Sequence, residues 1–470
     1  MPETTPSDPG RLQAIVQRHG RKTLVALAVI VLVGFGLRMD MVINPLAEPG
    51  DDALAYRALS ESLYEEQSYG GSNFKAASDW SPGAPLIYAG AYYLTGGVRD
   101  GVGRGVEALL GTAAIVIAFL LALRLSRRRS AALLAAGFVA VYPPFIHSTG
   151  HLMSEPAAIF TLPAAVLAFL WADGRSSPWA WLLPGLLFGL TTLIRPEYLA
   201  VAFVFGLLLV VRAWRSAGPD NTARLKRTAL VAVAFAAAIF VPIIPWTIHN
   251  YVVLDRFVPI TTGGGKATFV GTYLPADGEY QGVKAELYEE QTGKSLDRYS
   301  DELEEVKPEP LFDEAAERYK EEVGDPGLSR DAALGRLGKE NFEKYLKDDP
   351  VGYAGMTVRK IGRMWGSAVG GAMDDGLGAL VQKGLVLAGL AGLILLGWRR
   401  RWETIAVGIP IVVVTAVGAL TLAPPRRNEI LMTLVLPLAA VALAEAAARI
   451  AGRDGPPGDR PAPTQTEEPA

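Results

Sequence analysis

Two adjacent carboxylates, Asp51 and Asp52, follow the chain's first long apolar run within the segment "PGDDALAY". Residues 52–64 have helical spacing, so either carboxylate can cap that helix, as acidic side chains commonly do at helix N-termini. A positioned carboxylate can also act as a general base that takes a proton from an attacking hydroxyl group. The residues alone leave both interpretations open.

A third acidic candidate, Glu155, lies in the segment "HSTGHLMSEPAAIF" at the start of another apolar run. Ser154 and Pro156 supply a helix start signal around it, so Glu155 can also be an ordinary cap. The interpretation of all three carboxylates therefore depends on the elements that position them.

Those elements are membrane helices, because half of the 470 residues are hydrophobic and the mean hydropathy is +0.24. About 20 apolar residues cross the hydrocarbon of a bilayer. Ten segments approach that length: 23–38, 105–123, 131–148, 156–172, 178–194, 197–211, 228–248, 377–398, 403–423 and 428–448. The first has basic flanks, as in a signal peptide, but it lacks a small-x-small cleavage site, so we interpret it as an uncleaved anchor. The predicted fold class is an all-α polytopic membrane protein with about ten transmembrane helices and an external, mainly helical domain.

The composition argues against several classes of site. The net charge of −3 gives no overall basic field that would attract a nucleic acid. Cysteine is absent, which removes disulfides, thiolate catalysis and zinc–thiolate sites. With four histidines in all, a His-rich metal site is not expected, and no other set of ligands requires a metal or another cofactor.

Basic clusters between the apolar segments predict the orientation of the chain. They lie at Arg11–Lys22, Arg124 with Arg127–Arg129, Arg212–Arg227 and Arg399–Arg401, and all four fall on one side of a ten-span chain. The positive-inside rule places that side in the cytoplasm. We therefore expect a multi-pass protein of the plasma membrane with both termini in the cytoplasm.

This topology predicts the domain organisation. A cytoplasmic segment (1–22) precedes transmembrane helices one to seven (23–249), which include a first external loop (39–104), and an external domain with an interfacial helix follows (250–376). Transmembrane helices eight to ten (377–448) and a Pro-rich tail (449–470), for which we expect disorder, complete the chain. In the external domain, "KPEP" and "GDPG" break the helical spacing.

Among the basic residues that this topology places outside, where the positive-inside rule does not explain them, six are candidates for a function. They are Arg195 in "TTLIRPEYLA", Arg426 and Arg427 in "LAPPRRNEI", and Arg359, Lys360 and Arg363 in "MTVRKIGRMW". Each can reach lipid headgroups or pair with a nearby acid such as Glu197 or Glu429. Several can also converge on one lipid phosphate, because guanidinium binds phosphate oxygens bidentately. Taken as a group, they favour the phosphate.

The motifs resemble those of the GT-C glycosyltransferases, in particular the bacterial group similar to dolichyl-phosphate-mannose protein mannosyltransferases and lipid A aminoarabinose transferases. The matching pieces are Gly50-Asp51-Asp52 through Tyr56, the run "DWSPGAPLIYAGAYYLTGG", "SEP" at Ser154–Pro156, "LIRPEYL" at Leu193–Leu199 and "PWTIHNYVVLDRFVPITTGGG" from Pro245. The resemblance covers about residues 23–448, without much of the external domain. It depends on the order and placement of these motifs rather than on any one of them.

The resemblance implies an enzyme of the cell envelope that transfers a hexosyl or pentosyl group from a polyprenyl-phosphate donor. The acceptor would be an extracytoplasmic glycan, lipid or protein. An Asp of the first external loop would be the catalytic base, and its spacing to Tyr56 in relatives with a single Asp selects Asp52, with Asp51 as its neighbour. Glu155 corresponds to a second acidic site. Direct displacement would invert the anomeric configuration, and the external basic residues would stabilise charge on the leaving phosphate.

Other residues are candidates for contacts to the sugar or the acceptor, namely Tyr56, His151, His249 and Asn250. Many relatives carry Arg or Lys directly before the Pro-rich run, where this chain has Asp79, and Lys75 is a candidate substitute. Some GT-C relatives use a divalent metal, although no ligand set in this chain requires one.

A membrane transporter or lipid flippase is the alternative, because it would also have about ten spans. Such a protein should carry charged residues near the bilayer midplane, whereas the ionisable residues of these spans lie near their ends. A non-catalytic membrane scaffold is a third class. Donor cleavage, measured beside substrate accumulation in vesicles, separates the enzyme from the transporter.

Overall fold

The computed structural model describes residues 20–45, 51–70, 78–175, 177–216, 220–369 and 371–452, and of Asp51 the backbone alone. Within these ranges the chain forms helices and no β-strand. Most of the predicted N-terminal segment, the positions of Gly50 and Lys75, and the predicted tail beyond residue 452 lie outside the described residues.

Nineteen α-helices follow one another along the described part of the chain. They are α1 (Arg21–Ile43), α2 (Asp51–Glu65), α3 (Gly83–Thr95), α4 (Asp100–Ser126), α5 (Arg129–Val141), α6 (Pro143–His147), α7 (Glu155–Ala172), α8 (Leu182–Ile194), α9 (Tyr198–Ser216), α10 (Asn221–Leu254), α11 (Gly264–Thr272), α12 (Tyr280–Thr292), α13 (Asp301–Glu305), α14 (Pro308–Val323), α15 (Arg330–Asp348), α16 (Pro350–Gly366), α17 (Gly376–Trp398), α18 (Glu403–Leu420) and α19 (Arg426–Ile450). Short 3-10 turns at Ser148–Gly150 and Pro178–Trp181 extend α6 and precede α8.

Eight of these helices are long and apolar enough to cross a membrane, namely α1, α4, α7, α9, α10, α17, α18 and α19. The bent pair of α5 and α6 adds up to a ninth span, and Pro178–Ile194 forms a shorter apolar helix. Each of the ten predicted segments therefore overlaps a helix, or the bent pair, of this set. The predicted all-α polytopic fold is confirmed, and the protein is a multi-pass membrane protein.

The bend of 52° between α5 and α6 is stabilised by a buried arginine. Pro143 disfavours helical geometry at the preceding residue, and Tyr142 is extended with ψ 115°. The break leaves carbonyl groups at the end of α5 without helical partners. Arg38 of α1 is fully buried and donates to the carbonyl oxygens of Val139 and Ala140 at 3.0 and 3.2 Å. A side chain from a neighbouring helix thus satisfies the backbone groups that the break exposes.

Close packing fixes the short connection between α8 and α9. A Cβ atom on Gly189 of α8 would lie 2.3 Å from the carbonyl oxygen of Ile239 on α10, so only glycine allows these helices to approach so closely. Phe188 of α8 packs on Phe205 of α9 and on Phe235 of α10, with ring centroids 4.5 and 6.0 Å apart. The end of α8 is therefore held in one position at one end of the bundle.

The segment between α10 and α17 contains a second core, built by α11, α12, α14 and α15 around the buried side chains of Phe269, Phe312 and Leu334. The two predicted breaks lie at helix boundaries. α14 begins at Pro308 of "KPEP", and Gly324 of "GDPG" ends it with φ 67°. The predicted interfacial helix is α16. The predicted boundaries of this domain stay an interpretation of the sequence.

Candidate active site

One end of the helical bundle gathers charged residues from four separate parts of the chain. Asp52 lies in the first turn of α2, Glu155 begins α7, Arg195 lies between α8 and α9, and α19 begins with Arg426. Helix N-termini carry unpaired N–H groups and partial positive charge, which favour anions. We call the charge cluster the set of Asp52, Glu155, Arg195, Glu197, Arg426 and Arg427, whose members lie within electrostatic range of one another.

Asp52 and Arg426 form the accessible part of the charge cluster. Arg426 donates to the Asp52 carboxylate across 374 positions of sequence. Their side chains are 36% and 41% exposed, so both groups can be reached from solvent. Ion pairs with this exposure contribute little to stability. The side chain of Asp51 lies outside the described residues, so the structure does not choose between the two predicted bases.

Arg195 forms the buried part of the charge cluster. Its guanidinium donates to Glu155 at 2.8 Å, to Glu197 at 3.0 Å and to the hydroxyl oxygen of Ser154 at 3.2 Å. The Arg195 and Glu155 side chains are 12% and 4% exposed. We call Ser154, Glu155, Arg195 and Glu197 the buried knot.

The charges of the buried knot shift the pKa values of Arg195 and Glu197, which lie between α8 and α9. Burial alone would raise the pKa of Glu197, but the charges of Arg195 and Arg427 outweigh it and lower that pKa to about 2. Burial alone would lower the pKa of Arg195, but Glu197 and Glu155 raise it well above its usual range. Glu197 and Arg195 are therefore both charged near neutral pH.

Tyr56 connects α2 with the buried knot. Burial, and then the charge of Glu155, raises the pKa of Tyr56 to about 12, and its hydroxyl group has Ser154 as a hydrogen-bond partner. Its ring packs edge-on against Trp80, with centroids 5.3 Å apart. The structure thus brings the predicted contact residue Tyr56 to the same place as Glu155 and Arg195.

Lys360 of α16 lies within electrostatic range of Arg427 and is 1% exposed. Its ammonium group donates to the carbonyl oxygens of Gly271 and Ala419 at 2.5 and 3.1 Å. Burial, followed by the charges of Arg427 and Arg363, lowers the pKa of Lys360 to about 8. Lys360 therefore adds to the positive potential around Arg427.

Arg359 and Arg363 are occupied elsewhere. Arg359 donates twice to the carboxylate of Asp277, at 2.9 and 2.7 Å, and Arg363 donates to the same carboxylate and to the Asp277 carbonyl oxygen. Burial opposes ionisation of Asp277, but these hydrogen bonds outweigh it and lower its pKa. The six predicted phosphate-binding residues thus divide into two groups, and the role of each stays a prediction.

The predicted histidine and asparagine contacts belong to two further regions. His151 lies 3.4 Å from His147 between Nε2 atoms. His249 stacks on Trp246, with centroids 4.9 Å apart. Asn250 is fully buried and donates to two carbonyl oxygens of the loop after α10, each at 3.0 Å. These contacts hold local structure, and a role in binding sugar or acceptor stays a prediction.

Asp79, at the start of the run "DWSPG", connects the segment before α3 to α15 of the second core. Arg330 of α15 donates to Asp79 at 3.3 Å, and Thr262 donates to the other carboxylate oxygen. The backbone N–H of Gly265, in the first turn of α11, donates to Asp331 at 2.6 Å. The carboxylate of Asp331 therefore occupies the start of α11.

The second core borders the charge cluster at Tyr280. Burial and the charges of Glu309 and Asp52 raise the pKa of Tyr280, and Arg426 opposes them. The ammonium group of Lys266 lies 5.8 Å from the centroid of the Tyr280 ring. The Tyr280 ring thus lies within electrostatic range of Asp52, and a cation lies beside the same ring.

Sequence reasoning missed several of these partners. Asp277 gave no signal beyond the Asp-Gly pair that is typical of tight turns. Glu429 was considered only as an ion-pair partner, whereas it is 1% exposed, within range of Glu155, and has Ser148 as a hydrogen-bond partner. Within the described ranges, no group of three or more His, Cys, Asp or Glu side chains could hold a metal ion.

Comparison with known proteins gives a family match over part of the chain. Residues 85–258 match the family model of dolichyl-phosphate-mannose-protein mannosyltransferase. The matched segment contains the buried knot, and it ends before Arg426 and begins after Asp52. A search of curated proteins gives no match.

Solved structures support the fold. The oligosaccharyltransferase AglB from Archaeoglobus fulgidus, in complex with an inhibitory peptide and a dolichol-phosphate, aligns with a TM-score of 0.52 at 16% identity over 94% of this chain and 52% of its own. The same organism's oligosaccharyltransferase tethered to an acceptor peptide gives 0.53 at 18%, over 92% and 50%. The fold of this chain is therefore similar to that of these oligosaccharyltransferases. The GT-C resemblance seen in the motifs is therefore confirmed.

The similarity to these structures is limited both in the share of each neighbour that it covers and in its degree. The chain spans about half the length of the oligosaccharyltransferases that it matches. ArnT from Cupriavidus metallidurans, bound to undecaprenyl phosphate, is more distant, with a TM-score of 0.35 at 13% identity over 92% of this chain and 79% of its own.

Proposed function

We propose that this protein is an integral-membrane glycosyltransferase that moves a sugar from a polyprenyl-phosphate donor to an acceptor. The reaction would take place on the extracytoplasmic face of the plasma membrane, with both termini of the chain in the cytoplasm. The exposed pair of Asp52 and Arg426 carries this proposal, because it sets a base beside a cation that suits a phosphate. The family match and the dolichol-phosphate named in the AglB complex agree with it.

In the proposed step, the carboxylate of Asp52 takes the proton of the acceptor hydroxyl as the hydroxyl oxygen bonds to the anomeric carbon. The bond from that carbon to the phosphate oxygen breaks, and its electron pair stays on the lipid phosphate. Glycosidases need a second carboxyl group to protonate a poor leaving oxygen. A phosphate leaves without that help, so one base suffices. Attack from the opposite side inverts the anomeric configuration.

Arg426 would couple donor binding to the activation of Asp52. Without donor, its guanidinium holds the Asp52 carboxylate. A donor phosphate would compete for the same guanidinium and leave Asp52 free to accept the acceptor proton. Arg427, which lies within electrostatic range of both Arg426 and Lys360, would add positive potential for the leaving phosphate together with Lys360.

Arg195 would have a different task from Arg426, because its Nε and Nη1 groups already donate to Glu197, Ser154 and Glu155. We assign it to holding the site's shape rather than to the phosphate. Arg359 and Arg363 would contribute to the phosphate only after release of Asp277.

Release of polyprenyl phosphate tests the function. The reconstituted protein is incubated with a panel of polyprenyl-phosphate sugars and crude cell-envelope acceptor. Asp52→Asn is measured beside it, with Asp348→Asn as a matched control on an exposed carboxylate of α15. We expect release by the wild type and the control, and a loss of about 10²- to 10⁴-fold in Asp52→Asn.

Two outcomes would contradict the proposal. Equal release by the wild type and a well-folded Asp52→Asn would remove Asp52 from the chemistry and leave it as a helix cap. No release from any donor, together with accumulation of a solute inside vesicles, would favour the transporter.

A further inference from the structure

The segment that leads into Glu155 has an unusual backbone. Leu152 has φ 51°, a left-handed conformation that L-residues with a side chain rarely adopt. Its side chain is 4% exposed, so it is packed in place. Strain of this kind persists only where surrounding contacts enforce it, and it is concentrated at functional sites. The contacts around Leu152 therefore indicate what the chain uses to place Glu155.

A buried carboxyl group of α4 holds this segment. Glu107 is fully buried, and its Oε1 accepts the backbone N–H of Met153 at 3.0 Å. The backbone N–H of Leu152 is a second hydrogen-bond partner of the same side chain. Two successive backbone N–H groups thus point at one carboxyl group. The left-handed conformation of Leu152 allows both groups to point in the same direction.

Tyr88 of α3 completes the arrangement. Its hydroxyl oxygen lies 2.7 Å from Oε1 of Glu107 and 2.5 Å from the carbonyl oxygen of Met153. A tyrosine hydroxyl has one proton to donate, and both neighbours are acceptors unless Glu107 carries a proton. A neutral Glu107 satisfies both hydrogen bonds. It also agrees with the ion pairs of the described residues, none of which includes Glu107.

One turn away on the same face of α4, Gly103 makes room for Leu152. A Cβ atom at Gly103 would lie 2.4 Å from Cδ2 of Leu152, so the Leu152 side chain would have to move to make room for it. Gly103 and Glu107 are four residues apart, so they face the same side of the helix. α4 therefore both accommodates the Leu152 side chain and binds its backbone.

We propose that Glu107 is a positioning residue for the reaction, which it serves by fixing Leu152 and Met153 so that Ser154 and Glu155 meet Tyr56 and Arg195. This inference rests on the proposed function. Glu107 acts as a neutral hydrogen-bonding group and does not touch the substrates. Without it the segment relaxes, Ser154 and Glu155 move relative to Arg195, and the geometry next to Asp52 is lost.

The test compares Glu107→Gln with Glu107→Ala in the full-length reconstituted protein. Glutamine keeps an acceptor for the Met153 N–H and a donor for Tyr88, so we expect kcat for polyprenyl phosphate release to stay near that of the wild type. Alanine removes both, and a displacement near 1 Å can lower kcat by about 10²-fold. KM for the donor should change much less than kcat, because Arg426 still binds the phosphate.

Hydrogen exchange gives a readout that does not depend on activity. The amides of Leu152 and Met153 should be protected in the wild type and in Glu107→Gln, and should lose protection in Glu107→Ala. Gly103→Ala is the second variant, in case Glu107→Ala does not fold. It should reduce the same protection while leaving Glu107 present.

Each outcome decides one question. Unchanged kcat and unchanged exchange in Glu107→Ala would overturn the positioning role. Equal losses of activity in Glu107→Gln and Glu107→Ala would also overturn the positioning role, because the reaction would then require a charged carboxylate at this position. If the wild type releases no polyprenyl phosphate, the proposed function fails, and hydrogen exchange still decides whether Glu107 holds the segment.

Discussion

Two ion pairs a short distance apart have different characters. The pair of Asp52 and Arg426 is one contact between two side chains that are each more than a third exposed. The buried knot joins Arg195 to Glu155, Glu197 and Ser154, and its charged side chains are 4% to 14% exposed. Solvent screens the first pair and leaves it free to exchange partners, whereas burial makes the second costly to break. We therefore assign chemistry to the exposed pair and shape to the buried knot.

The largest effect should follow from breaking the buried knot. Arg195→Ala leaves Glu155 and Glu197 buried without their cation, and loss of one partner of a buried pair costs about 3–5 kcal/mol. The free energy of unfolding, measured by chemical denaturation in micelles, should fall by that amount. Arg57→Ala is the control, because Arg57 pairs with Glu61 and Asp100 but is 40% exposed. Equal losses in the two variants would remove the distinction between buried and exposed pairs.

The exposed pair should give the opposite result. Arg426→Ala should lower the rate of polyprenyl phosphate release by about 10²- to 10³-fold, the usual effect of removing one donor to a developing anion. Its free energy of unfolding should change by at most about 1 kcal/mol, as for exposed ion pairs. Arg359→Ala, which removes a cation bound to Asp277, should leave the rate nearly unchanged. A large loss of stability in Arg426→Ala would place this pair in the same class as the buried knot.

Acid should weaken the buried knot through Glu197. Its pKa is about 2 in the folded protein, against an ordinary value of 4.5, so the folded state binds fewer protons between these values. The stability that Glu197 contributes is therefore complete above about pH 4.5 and is lost as the pH falls toward 2. The difference in unfolding midpoint between wild type and Glu197→Gln should shrink over that range. A difference that does not depend on pH would contradict the shifted pKa.

A second pH effect concerns Lys360, a buried cation whose hydrogen bonds go to carbonyl oxygens. Its pKa is about 8 in the folded protein and about 10.5 in an unfolded chain. The unfolded chain keeps the proton over this range, so the charge on Lys360 disfavours the folded state below pH 8, and stability rises as the pH increases from 8 to 10.5. Lys360→Met should remove this rise from the unfolding midpoint. An identical rise in the variant would assign it to another group.

The sequence predicted the parts of the fold that depend on local properties. Ten apolar segments identified the helices, because the length and hydrophobicity that a bilayer requires are properties of a short stretch of chain. The boundaries at Pro308 and Gly324 were visible for the same reason. Asp52, Glu155 and Arg195 could be singled out because each lies at an expected helix end and on one predicted side of the membrane.

The sequence did not reveal which of these charges pair. Arg426 and Asp52 are 374 positions apart, and Arg363 and Asp277 are 86 apart. The six basic residues looked alike in the sequence, yet the structure gives Arg195 three partners and Arg359 the carboxylate of Asp277. Such pairings depend on which helix ends meet, and hydrophobic periodicity does not specify that.

By itself, therefore, the sequence determined that this chain is an all-α membrane protein with acidic and basic residues at the ends of its spans. Only the tertiary structure decided that Asp52 and Arg426 are exposed and Arg195 is buried. It also decided that a carboxyl group from α4 holds Leu152 in a left-handed conformation ahead of Glu155. The reason is physical: apolar length is a local property, whereas burial and hydrogen-bond partners are set by the packing of segments far apart in the chain.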